Sequence, residues 1–263
     1  RYEFVTGVQT CALPISIVRS LKFPLAPLPE QRAIAAKIEQ LFSELDNGIA
    51  NLKAAKSKLE IYRQAILKQA FEGELTNPKN QIKDDLHKEW KLVNLGELIE
   101  KPKYGTSKKC TYDIDGIGVL RIPNIADGYI NSSDLKYADF TEEEASNYSL
   151  KEGDILTIRS NGSVDLVGKC ALISKHDEKY LYAGYLIRLR PNPLVVESKY
   201  LLYCLTSHNL RIQIESKAKS TSGVNNINSG ELESLILPLP LNLTEQKQIV
   251  QEIETRLSVC DKL

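Results

Sequence analysis

The sequence predicts an α+β chain, in which a block of short strands in a mixed or antiparallel twisted sheet is flanked by long, coiled-coil-like helices. Three observations carry this. An uninterrupted heptad stripe runs through Glu30–Glu72, short β-type runs fill the stretch between residues 90 and 243, and the proline-led start of the first helix returns near the chain's end.

Residues 1–16, RYEFVTGVQTCALPIS, resemble translated sequencing-adaptor sequence and are set aside as a non-native leader, so native sequence is expected from Ile17. The chain has no methionine and its last residues, DKL, fall inside a helical pattern, so a fragment of a longer protein is expected. From Ser20 to Pro29, SLKFPLAPLP carries three prolines in an apolar run and suits an extended edge segment closing residues 17–29. Pro27, Pro29 and Glu30 then mark a helix start, where a missing N–H costs nothing and an acid meets the positive end of the dipole.

Along that helix Ile34, Ile38, Leu41, Leu45, Gly48, Leu52, Ala55, Leu59, Tyr62 and Ile66 alternate spacings of 4 and 3, the period of a seam facing another helix. An ordinary bundle helix would carry a similar stripe. At 1.5 Å per residue the segment reaches roughly 60 Å, more than one small core can bury. Gly48 is expected to weaken or bend its middle, and Gly73 with Asn77-Pro78 to end it, so the helix and its tail occupy residues 30–76. Residues 77–89 are polar, charged and aperiodic, and read as a linker.

The block at 90–243 opens with Trp90–Ile99, a strand or turn entering a short helix. Strands are expected at Val119–Ile122, Ile155–Ile158, Lys169–Ile173 and Tyr185–Leu189, each bounded by Gly, Asn, Asp or Pro. Ser198–Glu215 has helical spacing with a possible break at Ser207. Then the beginning returns: Glu245-Gln246-Lys247 matches Glu30-Gln31-Arg32, Ile249 matches Ile34 and Ile253 matches Ile38, at an offset of 215 residues. Both copies follow a proline-rich strand, with one residue of slippage between the prolines, so a second helix is expected over 244–263.

Composition excludes more than it assigns. Lysine plus arginine equals aspartate plus glutamate at 34 each, which gives no bulk field for a nucleic-acid partner. No apolar run approaches the roughly 20 residues of a membrane span. Five scattered cysteines without a CxxC pair read as reduced thiols in a cytoplasmic protein, and zinc is not indicated. His87, His176 and His208 are isolated, and neither GxxxxGK[ST] nor GxGxxG occurs, so no catalytic residue, metal or cofactor is assigned.

Taken in order, several motifs resemble the specificity subunit of type I restriction-modification systems. They are Trp90-Lys91-Leu92 through Leu95-Gly96-Glu97, GVLRIPNI from Gly118, Gly153-Asp154-Ile155-Leu156, Val167-Gly168-Lys169-Cys170-Ala171, Asn225–Ser229 ahead of LPLP, and the QAFEGELT tail of the long helix. The resemblance covers nearly everything from Ile17. It implies a non-catalytic subunit with the end of one target-recognition domain at 17–29, a central helix at 30–76, a second recognition domain at 90–243 and the start of a terminal helix at 244–263. It further implies helices pairing antiparallel through Ile34, Ile38, Leu41, Leu45, Leu52, Leu59, Tyr62, Ile66, Ile249 and Ile253. The implied partners are double-stranded DNA, DNA methyltransferase (modification) subunits and a restriction/translocase subunit. Those partners would supply S-adenosylmethionine chemistry, ATP and Mg2+. A coiled-coil scaffold that binds protein is the alternative reading.

DNA readout needs cations or backbone donors on phosphates and planar groups on base edges. Lys101, Lys103, Tyr104, Thr106, Ser107, Lys108 and Lys109 form a lysine-rich loop without an acid, although a merely solvated loop would look the same. Arg121 with Asn124, and Arg159, Ser160, Asn161 and Ser163, carry the side-chain types that bond guanine and adenine bidentately; salt bridging or turn capping explains them as well. Lys217, Lys219, Ser220 and Asn225 lie in a polar stretch that is also a plausible turn. Residues 91–243 hold 18 basic and 19 acidic residues, so phosphate binding requires segregation, and the acidic Asp134–Asp154 is expected to face away from DNA.

Overall fold

The computed structural model describes residues 15–22, 24–73, 75, 90–221 and 223–258. Most of the expected leader, the linker at 77–89 and the last residues of the terminal helix lie outside them, as do Cys11, His87 and Cys260. The fold is mixed α+β. It divides into two compact units, Arg1–Ser57 and Lys58–Leu263.

In the first unit, α1 (Ile15–Ser20) precedes α2 (Leu28–Phe71), which continues into the second. No strand forms among the described residues between them, contrary to the extended edge segment expected at Ser20–Pro29. The Pro27 carbonyl instead accepts from the Glu30 and Gln31 amides at 2.9 and 3.0 Å, which starts α2. Gly48 lies within the continuous helix, so its cost is one of propensity, about 1 kcal/mol against alanine, and not a break. Ile34, Ile38, Leu41, Leu45 and Leu52 are all exposed.

In the second unit, the end of α2 is half of a core wall. Ile66, Leu67 and Ala70 are buried, and the Phe71 ring meets Tyr200 edge-on at 5.6 Å. The chain then runs β1 (Trp90–Asn94), β2 (Lys103–Tyr104), β3 (Ile117–Leu120), β4 (Lys136–Ala138), α3 (Glu142–Asn147), β5 (Ile155–Ile158), β6 (Ser160–Asn161) and β7 (Cys170–Leu172). It continues through β8 (Leu181–Tyr182), β9 (Leu186–Leu189), α4 (Ser198–Thr206), α5 (His208–Lys217), β10 (Lys219–Thr221), β11 (Val224–Asn226), α6 (Ser229–Glu233), β12 (Ile236–Pro240) and α7 (Leu243–Leu257).

Strands β2, β9, β5 and β7 lie side by side in that order, antiparallel, while β3 pairs antiparallel with β4 and parallel with β8. Successive side chains on a strand point to opposite faces. Ile155 and Ile187 therefore enter one core with α4 and α7, whereas Leu156 and Leu186 enter another with Leu120 and Tyr182. Burial on both faces is why β5 and β9 are mostly apolar, Thr157 and Arg188 being the polar exceptions.

Ile122 does not extend the expected strand; it begins a 3-10 turn, Ile122–Asn124, in which Pro123 has no amide to give a ladder. The helix expected at Ser198–Glu215 does break at Ser207, whose Oγ accepts from the Leu210 amide at 3.4 Å and donates to the Cys204 carbonyl at 2.7 Å. Three helix-pairing assignments are corrected. Ile66 packs into the core of its own unit, and Ile249 and Ile253 are fully buried there too, on an α7 that lies against α4. Leu59 is half-buried and Tyr62 exposed.

The Gly153-Asp154 turn has a structural explanation. Asp154, 1% exposed in its side chain, receives Arg190 in a two-point pair, Nε to Oδ1 and Nη2 to Oδ2, both 2.7 Å, and accepts from the Lys151 amide at 2.8 Å. Hydrogen bonding to Asp154 raises the Arg190 guanidinium above its ordinary pKa. Asp154→Ala leaves the arginine, 16% exposed in its side chain, with the Ser149 carbonyl at 3.3 Å and Glu100 at 4.0 Å as its remaining partners. It should cost about 3 kcal/mol of unfolding free energy, the lower end of the roughly 3–5 expected for a broken buried pair, measured by urea denaturation.

Candidate nucleic-acid interface

The segments at 101–109, 159–163 and 217–226 are far apart in sequence, and the sheets bring them together. β6 pairs with β11 (Asn161 opposite Asn225, Ser160 opposite Asn226), and β11 pairs with β10 (Asn225 opposite Ser220, Asn226 opposite Lys219). Lys219 and Ser220 thus belong to a hairpin and not to a free loop. Lys217 ends α5 just before it, half-buried.

Tyr104 joins the lysine segment to this sheet. Its ring lies 4.7 Å from the Arg159 guanidinium carbon, and its hydroxyl accepts from the Ser229 amide at 3.0 Å. Arg159 Nε donates to Asn226 Oδ1 at 3.3 Å. Beside it, Asn161 Oδ1 accepts from the Ser163 amide at 2.9 Å, and Asn225 Nδ2 donates to the Gly162 carbonyl at 3.0 Å, which shapes the exposed Gly162-Ser163 turn.

The segment around Gly105 is not a flexible loop. A Cβ there would sit 2.3 Å from the Tyr182 carbonyl oxygen, so only glycine permits the approach. Thr106 is held on both sides, its amide donating to Tyr182 at 2.9 Å and its carbonyl accepting from Gly184 at 2.7 Å. Its buried hydroxyl accepts from the Lys108 amide at 3.0 Å, so this oxygen is spent internally. Lys101, Ser107, Lys108 and Lys109 are exposed, and Lys103 is half-buried.

Three other candidates are also spent. Lys108 Nζ pairs with Glu144 at 2.8 Å and lies 4.8 Å from the Phe140 ring centre. Arg121 Nη2 bonds the Asp134 carbonyl and carboxylate, each at 3.2 Å. The acidic stretch therefore does not simply turn away: Asp134 and Glu144 supply partners to two of the proposed cations. Asn124 is fully buried, accepting from the Arg121 amide at 2.8 Å and donating to the carbonyls of Asn131 and Asp134 at 2.9 and 2.8 Å. It locks a turn and cannot present its amide to a base.

Asn226, inside the Asn225–Ser229 motif, anchors Arg159, while Tyr185, 61% exposed in the turn between β8 and β9, was not a sequence candidate; its carbonyl accepts from the Arg159 amide at 3.0 Å. An aromatic beside Gly184 was the available signal. Elsewhere, burial pushes the Cys170 thiol up to about 11 and the Cys204 thiol higher still, which leaves both protonated and unreactive at neutral pH. Among the described residues no cluster of His, Cys, Asp or Glu could hold a metal, and no helix is long and apolar enough to cross a membrane.

Comparison with known proteins gives this architecture a family. Residues 87–261 match the model of the type I restriction modification DNA specificity domain. The chain is 29% identical over 244 residues to the specificity subunit of the Escherichia coli K12 type I restriction enzyme EcoKI, covering 92% of this chain and 52% of that protein. It is 33% identical over 168 residues to the putative MjaX specificity subunit of Methanocaldococcus jannaschii, covering 64% and 39%. A chain from a structural study of complex assembly and conformational transition in the type I R-M system shares the fold with a TM-score of 0.64 at 24% identity, over 91% of this chain and 54% of that one. The HsdS subunit from Thermoanaerobacter tengcongensis does so at 0.53 and 23%, over 98% and 58%. The chain belongs to the type I restriction-modification specificity family, the one its motifs resemble. It spans about half the length of the first two curated relatives it matches, 52% in each case.

The reassignment of Asn124 is testable by separating stability from binding. Asn124→Ala should cost about 1–3 kcal/mol in chemical denaturation, because it leaves buried partners unsatisfied.

Proposed function

We propose that this chain is a non-catalytic, sequence-specific DNA-binding specificity subunit, which directs methylation and cleavage partners to a bipartite target. The observation that carries this is the surface around Tyr104, Arg159 and Asn226, where polar and basic side chains from segments more than a hundred residues apart share one sheet and its edge. In this reading residues 90–243 are the recognition domain, 17–29 the end of another, 30–76 the central helix and 244–263 the start of the terminal one. Lys101, Lys103, Ser107, Lys109 and Lys217 are assigned to phosphates and Arg159, Ser160, Asn161, Ser163 and Asn225 to bases, with Lys219 and Ser220 belonging to the same interface. The exposed stripe of α2 receives an antiparallel helix and docks the modification subunits, which with the restriction/translocase subunit supply the S-adenosylmethionine, ATP and Mg2+ chemistry in the cytoplasm.

Adenine-methylation mapping tests this on a random DNA pool with the chain co-expressed beside its modification subunit. A defined motif is expected. A stable complex that methylates nothing in a sequence-dependent way would overturn the reading.

Two variants separate its parts. Hydrogen bonding by Lys108 holds the Glu144 carboxyl below its ordinary value of 4.5. The stabilising contribution is thus present above that value and lost as pH falls through the lower folded one, so the pair is intact at neutral pH. Glu144→Gln should release Lys108 and steepen the dependence of log affinity on log salt by about 1, read from binding titrations at neutral pH. Leu45→Asp with Leu52→Asp should abolish co-purification of the modification subunit while leaving the melting of residues 58–263 unchanged; an intact complex would refute the pairing role of α2.

A further inference from the structure

We infer that Arg159 reads a guanine, and that Tyr104 and Asn226 are positioning residues that hold its guanidinium for that contact. The inference rests on the DNA-binding reading above and adds the base. Arginine is normally a costly reader, because its long side chain must be immobilised before it can bond. At Arg159 that ordering is already done. Its amide donates to Tyr185 at 3.0 Å and its carbonyl accepts from the Ile227 amide at 2.9 Å, which fixes the backbone. The Tyr104 ring, 4.7 Å from the guanidinium carbon, supports one face of the plane, and Asn226 Oδ1 takes the Nε hydrogen at 3.3 Å. Tyr104 is in turn fixed through its hydroxyl by the Ser229 amide at 3.0 Å.

Fixing Nε leaves the other end of the plane. Arg121, Arg190 and Arg211 each bond a carboxylate, from Asp134, Asp154 and Glu215 respectively. Arg159 bonds none among the described residues, and Nη1 and Nη2 have no hydrogen-bond partner there. The result is a half-buried, oriented, unneutralised pair of parallel N–H donors. In the major groove two adjacent acceptors occur on guanine, O6 and N7; adenine sets a donor beside its N7, so the fork discriminates. A phosphate would also accept the fork. The neighbouring side chains Ser160, Asn161, Asn225 and Asn226 are short neutral donors and acceptors suited to base edges, whereas the exposed Lys101 and Lys109 serve phosphates without orientation.

The test is selection of binding sites from a random duplex pool by the chain co-purified with its modification subunit, and by the same complex carrying Arg159→Lys, Tyr104→Leu or Tyr104→Phe. The wild-type motif should contain a G·C pair whose preference falls roughly tenfold in Arg159→Lys, with bulk affinity for random DNA nearly retained because the charge remains. Tyr104→Leu should flatten the same position, and Tyr104→Phe, which keeps the ring but loses its hydroxyl anchor, should retain most of the preference. If Arg159→Lys weakens every sequence alike, or leaves the motif unchanged, the guanine assignment is overturned while the DNA reading stands. A stable wild-type complex that selects no motif would overturn the DNA reading, and this assignment with it. Should Tyr104→Leu fail to fold, judged by circular dichroism, the Arg159→Lys and Tyr104→Phe results decide the outcome.

Discussion

One buried glutamine holds together the elements on which the larger core rests. Gln246, fully buried in the first turn of α7, accepts from the Glu197 amide at 2.8 Å and donates to the carbonyls of Val195 and Pro240 at 3.1 and 2.8 Å. A neutral amide can be buried at little cost only when both ends are satisfied. Its three bonds fix the end of β12, the start of α7 and the entry to α4 together. The adjacent Glu245 takes the Trp90 indole hydrogen at 2.9 Å and so secures β1, which pairs with β12. With that frame set, Ile249 and Ile253 have only the α4 side to occupy, and the four-stranded sheet gains a covered face.

The same chemistry explains why the opening of the two helices repeats. In the first copy Gln31 Nε2 donates to the Ala26 carbonyl at 2.6 Å, five residues back; in the second Gln246 donates to Pro240, six residues back. The difference of one is the slippage between the two proline-rich lead-ins. A first-turn glutamine holding the incoming chain is therefore the element being repeated, and the apolar spacing behind it is secondary. Two amphipathic helices could share a heptad by chance; sharing this backward hydrogen bond requires the lead-in as well.

Periodicity reports which face of a helix is apolar and is silent on what covers it. That is why the stripe was legible from Ile34 to Ile66 while its use was not: Ile66, Ile249 and Ile253 are consumed inside one unit, and Ile34 to Leu52 are exposed. The candidate interface shows the same limit in polar form. Residue type identified Arg121, Asn124, Thr106 and Lys108 as able to bond DNA, yet Asp134, the Asn131 carbonyl, the Lys108 amide and Glu144 already engage them. Short polar motifs encode hydrogen-bonding capacity, and only the pairing of strands decides whether it is spent internally. The break at Ser207 was legible because a serine cap acts locally.

These internal pairs change how a neutral chain can serve the proposed role. Equal numbers of acids and bases, 34 of each, would be a poor basis for holding DNA if every cation competed for phosphate. With Lys108, Arg121, Arg190 and Arg211 each facing a carboxylate, the long-range attraction to any duplex is weak. Weak general attraction favours discrimination, since non-specific binding is almost wholly electrostatic whereas base readout is not. An oriented Arg159 beside neutral asparagines and serines then contributes its full difference between right and wrong bases. In that proposed role the remaining affinity has to come from elsewhere in the assembly, through a second recognition surface or the subunits proposed to dock on α2, because linking modest sites raises avidity without enlarging any one of them.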